Sequence, residues 1–178
     1  MCIRDSPKNM EMANFLGICY CELGDFQKGL VIFNEIASQD NPKYAEDVVK
    51  AKENIKLYTN NRIAKLQGEN DFDGIIAVAD EMLAVNPQDA LAQKIRLQAL
   101  FDKKDYAGVI ASAEEAAAGQ TDEEERSDVY FILGAAYNAR TMPQQAIDAL
   151  SKVTAGANVA AAQKTVAQLK ENAAKANS

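Results

Sequence analysis

A ten-residue pattern recurs along the chain and constrains its fold more than any other feature of the sequence. GDFQKGLVIF begins at Gly24, NDFDGIIAVA begins at Asn70 and KDYAGVIASA begins at Lys104. Each copy has an aspartate, then an aromatic residue, then apolar residues spaced by three and four positions. That spacing is the period of an amphipathic helix rather than the alternation of a strand. The chain is therefore expected to repeat one helical unit several times.

The residues around each copy predict where its helix begins. Asp25, Asp71 and Asp105 are expected N-caps, because a carboxylate accepts hydrogen bonds from the unpaired N–H groups of the first turn. A fourth copy, TMPQQAIDAL, has Pro143 at the matching point, and proline suits a first helical turn because that position needs no N–H donor. Before the fourth copy, Thr121 has the spacing of a capping box that would begin another helix.

Composition agrees with a helical class and narrows the range of functions. Apolar residues make up 48% of the 178 positions, with only four prolines and nine glycines, which predicts an all-α fold. The 19 Lys and Arg against 26 Asp and Glu give a net charge of −7, so binding to nucleic acid is not expected. No apolar run reaches the roughly 20 residues that span a bilayer.

The chain lacks the groups on which most enzymes rely. Histidine is absent, which removes the commonest general base and the commonest transition-metal ligand. Cys19 and Cys21 point to different faces of a helix, so they are expected to pack as small apolar residues rather than to bind a metal. We expect no catalysis, no cofactor and no metal, and we interpret the acidic run 123–125 as a solvated helix start.

The first six residues, MCIRDS, are unusual as protein sequence. They are what ATG TGT ATA AGA GAC AG encodes, a string that resembles a transposase adapter of sequencing libraries. Our hypothesis is that residues 1–6 are adapter read-through on a truncated bacterial gene, and the alternative is a genuine disordered tail. Under the hypothesis, any signal peptide and any upstream repeats are missing.

The helices before the first and fourth copies correspond residue by residue. LGICY at 16–20 matches LGAAY at 133–137. This pattern resembles the tetratricopeptide repeat family, whose first helix carries Leu-Gly and then Tyr. A small residue at Gly17 or Gly134 would let the second helix of the hairpin approach closely. The two middle repeats match the family mainly in their second helices.

The resemblance implies a right-handed α-solenoid of about four helical hairpins with a C-terminal capping helix. The helix before the second copy is expected to be long, from about Tyr44 to Gln67. The expected divisions are a non-native or disordered tail at 1–7, hairpins at 8–42, 43–87, 88–120 and 121–157, and a capping helix with its tail at 158–178.

Members of the tetratricopeptide family bind peptides or helices in a concave groove lined by the first helix of each hairpin. The resemblance therefore implies a non-catalytic protein–protein interaction scaffold. Transferring the family's groove positions to this chain gives twelve candidate partner-binding residues: Asn14, Ile18, Cys21, Asn60, Ala64, Gln67, Lys94, Gln98, Phe101, Phe131, Ala135 and Asn138. For Phe101 and Phe131, packing between hairpins is an equally open interpretation.

The sequence leaves the partner and the compartment open. Lys94 is the only cation among the candidate positions, and the chain is acidic, so a neutral or basic peptide is favoured over an acidic one. A structural subunit of a larger assembly, possibly of the cell envelope and with the groove filled, is the alternative function. Self-association through an uncapped first hairpin is a related expectation. Between cytoplasm and periplasm, we favour the periplasm.

Overall fold

The computed structural model describes residues 7–176, and every regular element in this range is helical. The all-α class is therefore confirmed. Helix α1 begins at Pro7, the last residue of the predicted tail, and the rest of that tail lies outside the described residues. In chain order the helices are α1 (Pro7–Glu22), α2 (Phe26–Ala37), α3 (Ala45–Gly68), α4 (Phe72–Val85), α5 (Ala90–Asp102), α6 (Tyr106–Gly119), α7 (Glu123–Ala139), α8 (Pro143–Leu150) and α9 (Val159–Ala176), with a 3₁₀ turn at Pro42–Tyr44 before α3.

The predicted beginnings of the repeated helices are confirmed. The side chains of Asp25, Asp71 and Asp105 each accept a hydrogen bond from the backbone N–H three residues further on, at 3.2, 2.9 and 2.9 Å. Pro143 is the first residue of α8. Because these signals are local, they specify where each helix begins whatever packs against it.

The predicted capping box before α7 is wrong. The cap is Asp122, whose carboxylate oxygen Oδ1 accepts from the N–H groups of Glu124 at 2.9 Å and Glu125 at 3.0 Å. Thr121 lies one residue outside the helix. Aspartate accepts two backbone bonds there and adds a negative charge at the positive end of the helix, so it outcompetes the threonine hydroxyl.

The described helices fall into two compact units that divide between Pro87 and Gln88. In the first unit, α1 packs on α2 and α3, α2 packs on α3 and α4, and α3 packs on α4. Its core includes Met10, Phe33, Ile36 and Tyr44, all at least nine-tenths buried. Helices α1 and α2 thus each contact both the next helix and the one after it.

Contacts in the second unit, formed by α5 to α9, run mainly between successive helices. Helix α5 packs on α6 and α7, α6 packs on α7, α7 packs on α8, and α8 packs on α9. Leu150 and Val153 at the end of α8 form a cluster with Ala162 of α9. The predicted C-terminal helix is confirmed as α9, which buries Ala162 and exposes Lys164 and Lys170.

Two glycines allow the close helix approach that the sequence predicts. A Cβ atom on Gly17 would lie 2.5 Å from Cε1 of Phe33 on α2, and a Cβ atom on Gly134 would lie 2.5 Å from Cγ of Leu150 on α8. Both neighbouring side chains are almost completely buried. The α1–α2 and α7–α8 hairpins therefore share one packing solution.

Helix α3 is 24 residues long, within one residue of its predicted limits at each end. Its Tyr58 stacks on Phe33 with ring centroids 6.3 Å apart and donates a 2.7 Å hydrogen bond to Glu22 of α1. Burial, and then the bond to Glu22, raise the pKa of Tyr58 to about 12. Towards its C-terminal end, Arg62 pairs with Glu81 of α4 at 2.6 Å. The long helix thus contacts α1 and α2 of the first hairpin as well as α4, its partner in the second.

Candidate functional site

A pocket of about 230 Å³ lies between α1 and α3 in the first unit. We call it the α1–α3 pocket. It is smaller than the roughly 300–1,000 Å³ of typical small-molecule sites, so its size suits one side chain of a partner better than a whole cofactor. Its lining residues are Glu11, Asn14, Phe15, Ile18, Asp47, Lys50, Glu53 and Asn54.

Two of the predicted groove residues, Asn14 and Ile18, line this pocket together. Asn14 is only 5% exposed, and its Nδ2 donates a 3.2 Å hydrogen bond to the backbone oxygen of Asp47. Its Oδ1 accepts no hydrogen bond from the described residues. Ile18 is half-buried and packs against the core of the first unit. The pocket therefore combines an apolar wall with one buried acceptor.

Cys21, the third candidate on α1, packs against the core of the first unit. It is half-buried, and a Cβ atom on Gly29 of α2 would collide with its Sγ. Burial, and then the charge of Glu22, raise the pKa of Cys21 to about 11, so its thiol stays protonated at neutral pH. Cys19 is exposed, and its predicted packing role is wrong. Reactive thiolates need a lowered pKa, which Cys21 lacks.

Three further candidates, Asn60, Ala64 and Gln67, lie on α3, and all three are exposed. They occupy the C-terminal half of the helix, whereas the α1–α3 pocket is lined by residues 47–54 of its N-terminal half. The structure therefore does not bring them together with Asn14 and Ile18. The family register was transferred from the hairpin with α4, and the extra length of α3 places its pocket-lining half earlier in the chain.

In the second unit, the corresponding space between α5 and α7 is crossed by ion pairs. Lys94 of α5 pairs with Glu125 and, at 3.0 Å, with Asp128 of α7. Burial lowers the pKa of Lys94, but the bonds to the two carboxylates outweigh burial and the net pKa lies above its usual value. Asp128 also accepts a 2.9 Å hydrogen bond from Asn158 before α9. The ammonium group of Lys94, the one cation among the candidate residues, is therefore paired with carboxylates of this chain.

The remaining candidates on α5 make contacts inside their own hairpin. Gln98 is exposed, and its Nε2 donates to Oδ1 of Asp102 at 2.9 Å. Phe101 is half-buried and meets the ring of Tyr106 edge-on, with centroids 5.6 Å apart. Phe101 therefore packs at the α5–α6 turn.

On α7, Phe131 packs against the cluster of Leu150, Val153 and Ala162. Ala135 is half-buried and Asn138 is exposed near the end of the helix. Phe131 therefore packs between its own hairpin and α9, in line with the packing interpretation that the sequence left open, whereas the contact of Phe101 lies within its own hairpin.

A second cavity, of about 550 Å³, lies between the end of α8 and the face of α9. Apolar side chains of Leu150, Val153, Val159 and Val166 form much of its wall, and Lys170 lies at its edge. It is wide and shallow, and none of the twelve candidate residues lines it. No separate sequence signal predicts this cavity, because the same side chains also predict the packing of α9.

Among residues 7–176, no three Cys, Asp or Glu side chains are arranged to hold a metal ion. None of the described helices combines the length and apolar character needed to cross a bilayer. No protein-family model matches the chain, and a search of curated proteins finds no match. Function is therefore inferred from the geometry of the chain itself.

The sequence missed five polar and charged residues of the α1–α3 pocket. Three of them, Asp47, Lys50 and Asn54, are spaced by three and four positions and so share one face of α3. That spacing was a usable signal once the length of α3 had been predicted. The other two missed residues are Glu11 on α1 and Glu53 on α3.

Proposed function

We propose that this chain is a protein–protein interaction scaffold of the tetratricopeptide kind, which binds an extended peptide or a helix of a partner along its first-of-hairpin helices. The observation that carries the proposal is the α1–α3 pocket, where Asn14 and Ile18 lie together on the helices that the family resemblance assigns to the groove. The matching close packing at Gly17 and Gly134 supports the hairpin repeat.

The surface chemistry of α1 also favours a binding role. Phe15 lines the pocket and is 60% exposed, and Met12 and Leu16 on the same helix are also exposed. Exposed aromatic side chains beside a pocket are typical anchors of protein interfaces, where a few such residues supply most of the affinity. Burial of Phe15 by a partner would remove apolar surface from water at little structural cost.

The test is selection of peptides from a random display library on the purified chain, followed by affinity measurement with the selected peptides. Phe15→Ser is expected to weaken binding about tenfold or more, because the ring is lost from the pocket wall. Leu57→Ser is the matched control, since Leu57 is an exposed apolar residue of α3 that does not line the pocket. Absence of selectable peptides, or equal loss in both variants, would overturn the proposal.

A structural subunit that associates through α1 is the second candidate function. Met12 and Leu16 are exposed on α1, Leu23 is exposed in the turn that follows it, and Val31 is exposed on α2. If a second copy of the chain covers this apolar surface, Leu23→Glu is expected to dissociate the dimer, because the substitution places a charge in the interface. Analytical ultracentrifugation that shows a monomer at every concentration would reject self-association and leave the peptide-binding proposal standing.

A further inference from the structure

One buried acceptor in the α1–α3 pocket lacks a hydrogen-bond donor. Asn14 is more than nine-tenths buried, and its Oδ1 has no partner in the described part of the chain. Exchanging the amide oxygen and nitrogen would not help, because it would set Oδ1 against the carbonyl oxygen of Asp47, which now receives the Nδ2 bond. A buried acceptor without a donor is destabilising, so the pocket favours an occupant that donates.

The charges around the pocket have mainly one sign. Glu11, Asp47 and Glu53 are acidic residues of its lining, and Lys50 is the one cation among the described residues that line it. Lys50 is held at 2.9 Å by Glu46, which lies outside the lining. The field in the pocket therefore attracts a positive charge and repels a negative one.

The wall of the pocket also suits the stem of a long cationic side chain. Ile18 offers an aliphatic surface and Phe15 offers a ring face, on which methylene groups and a guanidinium or ammonium head both pack well. Oδ1 of Asn14 exposes less than 1 Å², so an occupant must move a lining side chain to reach it. Phe15 is mostly exposed, and its ring can turn aside without opening the core.

We propose that the α1–α3 pocket binds a lysine or arginine side chain of the partner peptide, whose cationic head donates to Oδ1 of Asn14 among the carboxylates of Glu11, Asp47 and Glu53. This inference rests on the proposed peptide-binding function and adds to it the chemistry of the bound residue. It requires that peptides with a cation at one position bind better than peptides with a neutral group of the same shape.

The test uses four acetylated and amidated pentapeptides, Gly-Ser-Xaa-Ser-Gly, with arginine, lysine, citrulline or glutamate as Xaa. Citrulline keeps the shape of arginine and removes its charge. Each peptide is titrated into the full chain to about 10 mM, enough to measure millimolar affinity, and binding is followed in amide NMR spectra. The arginine and lysine peptides are expected to shift the signals of residues 11–18 and 47–54 and of the Asn14 side-chain amide.

Surface variants measure the contribution of each charge and leave the Asn14 bond to Asp47 intact. Glu11→Gln and Glu53→Gln are each expected to weaken binding of the arginine peptide about two- to fivefold, and Lys50→Gln to strengthen it by a similar factor. Both glutamates are exposed, so these variants keep the fold. Glu35→Gln on α2 is the matched control and is expected to change nothing, because Glu35 is exposed and outside the pocket.

The possible outcomes separate this inference from the function on which it rests. If the citrulline peptide shifts the same signals with the same affinity as the arginine peptide, the pocket binds peptides but does not select a cation, and the inference is wrong. If no pentapeptide shifts these signals, the inference is also wrong, and the library selection still decides the peptide-binding function. Preference for arginine and lysine that Glu53→Gln reduces and Glu35→Gln does not would support it.

Discussion

The two compact units contain hairpins with matching sequence, and they differ in which of the matching residues are exposed to water. Leu16 of α1 and Leu133 of α7 hold the same place in matching sequence, yet Leu16 is 47% exposed and Leu133 is 2% exposed. Helix α6 packs against α7, whereas no described helix precedes α1. The same residue is therefore core in one hairpin and surface in the other, because burial depends on a neighbour that the repeat itself does not contain.

The spaces between the first helices of neighbouring hairpins differ in the same way. Lys94 pairs with two carboxylates across the α5–α7 space, whereas in the α1–α3 pocket Oδ1 of Asn14 has no donor among residues 7–176. Internal pairing stabilises the second unit at this point, and the first unit retains polar groups that a partner can use. The comparison favours the first unit as the location of the proposed binding function.

The largest expected contrast is between the two matched leucines. Leu133→Ala is expected to lower the free energy of unfolding by about 2–4 kcal/mol, because it leaves a cavity in a closed core. Leu16→Ala is expected to lower it by less than about 1 kcal/mol, because water already reaches the side chain. Urea denaturation of both variants measures the difference. Equal losses would show that Leu16 is covered in solution and would break the comparison.

The two glycines should behave alike, in contrast to the leucines. Gly17→Ala and Gly134→Ala each place a Cβ atom 2.5 Å from a buried side chain. Overpacking of this kind costs about 1–3 kcal/mol, and alanine's better helix propensity recovers up to about 1 kcal/mol, so a net loss is expected in both. Gly68→Ala, with open space around its Cβ position, is the control and should not destabilise. A loss in only one hairpin would contradict a shared packing solution.

The Lys94 ion pairs provide a smaller test of the closed α5–α7 space. Lys94→Met is expected to destabilise the chain by about 0.5–1 kcal/mol, because the pairs are partly exposed to water. Raising the salt concentration should reduce the difference from wild type, since exposed charges are screened. Chemical denaturation with urea at low and high salt measures both effects. A Lys94→Met variant as stable as wild type at low salt would show that the pairs do not stabilise this space.

A further difference is expected only in alkaline solution and concerns Cys21 of the first unit. Its pKa rises from the usual value of 9.0 to about 11 in the folded chain. Above pH 9 the unfolded chain therefore loses this proton while the folded chain keeps it, so stability falls as the pH rises from 9 to 11. Cys21→Ser, which does not titrate there, should flatten the fall in urea denaturation under reducing conditions. An unchanged pH profile in the serine variant would show that another group causes the loss.

Whether the sequence predicts a contact depends on how far apart the two residues lie along the chain. The caps at Asp25, Asp71 and Asp105 involve residues three positions apart, and they were predicted correctly. The bond from Asn14 to Asp47 joins positions 33 apart, and that from Lys94 to Asp128 joins positions 34 apart. A period of 3.6 identifies a face of a helix but not the helix that covers it, so neither contact could be predicted.

The candidate site shows the same limit. Asn14 and Ile18 were named from the family register of α1, and the structure does place them in one pocket. On α3 the same register selected Asn60, Ala64 and Gln67, because sequence alone could not show which half of so long a helix faces α1. The acidic character of the pocket comes from side chains on both helices, and their proximity exists only after packing.

Helix α3 is a long helix that connects the pocket to α4 within the first unit. At about 1.5 Å per residue its 24 residues form a rod of roughly 36 Å. Asp47 and Lys50 line the pocket near the N-terminal end of α3, and Arg62 forms an ion pair with Glu81 of α4 towards its C-terminal end. If a bound side chain tilted α3 at its first turns, the far end would move in proportion to the length of the helix, and the displacement would reach α4 through the Arg62–Glu81 pair.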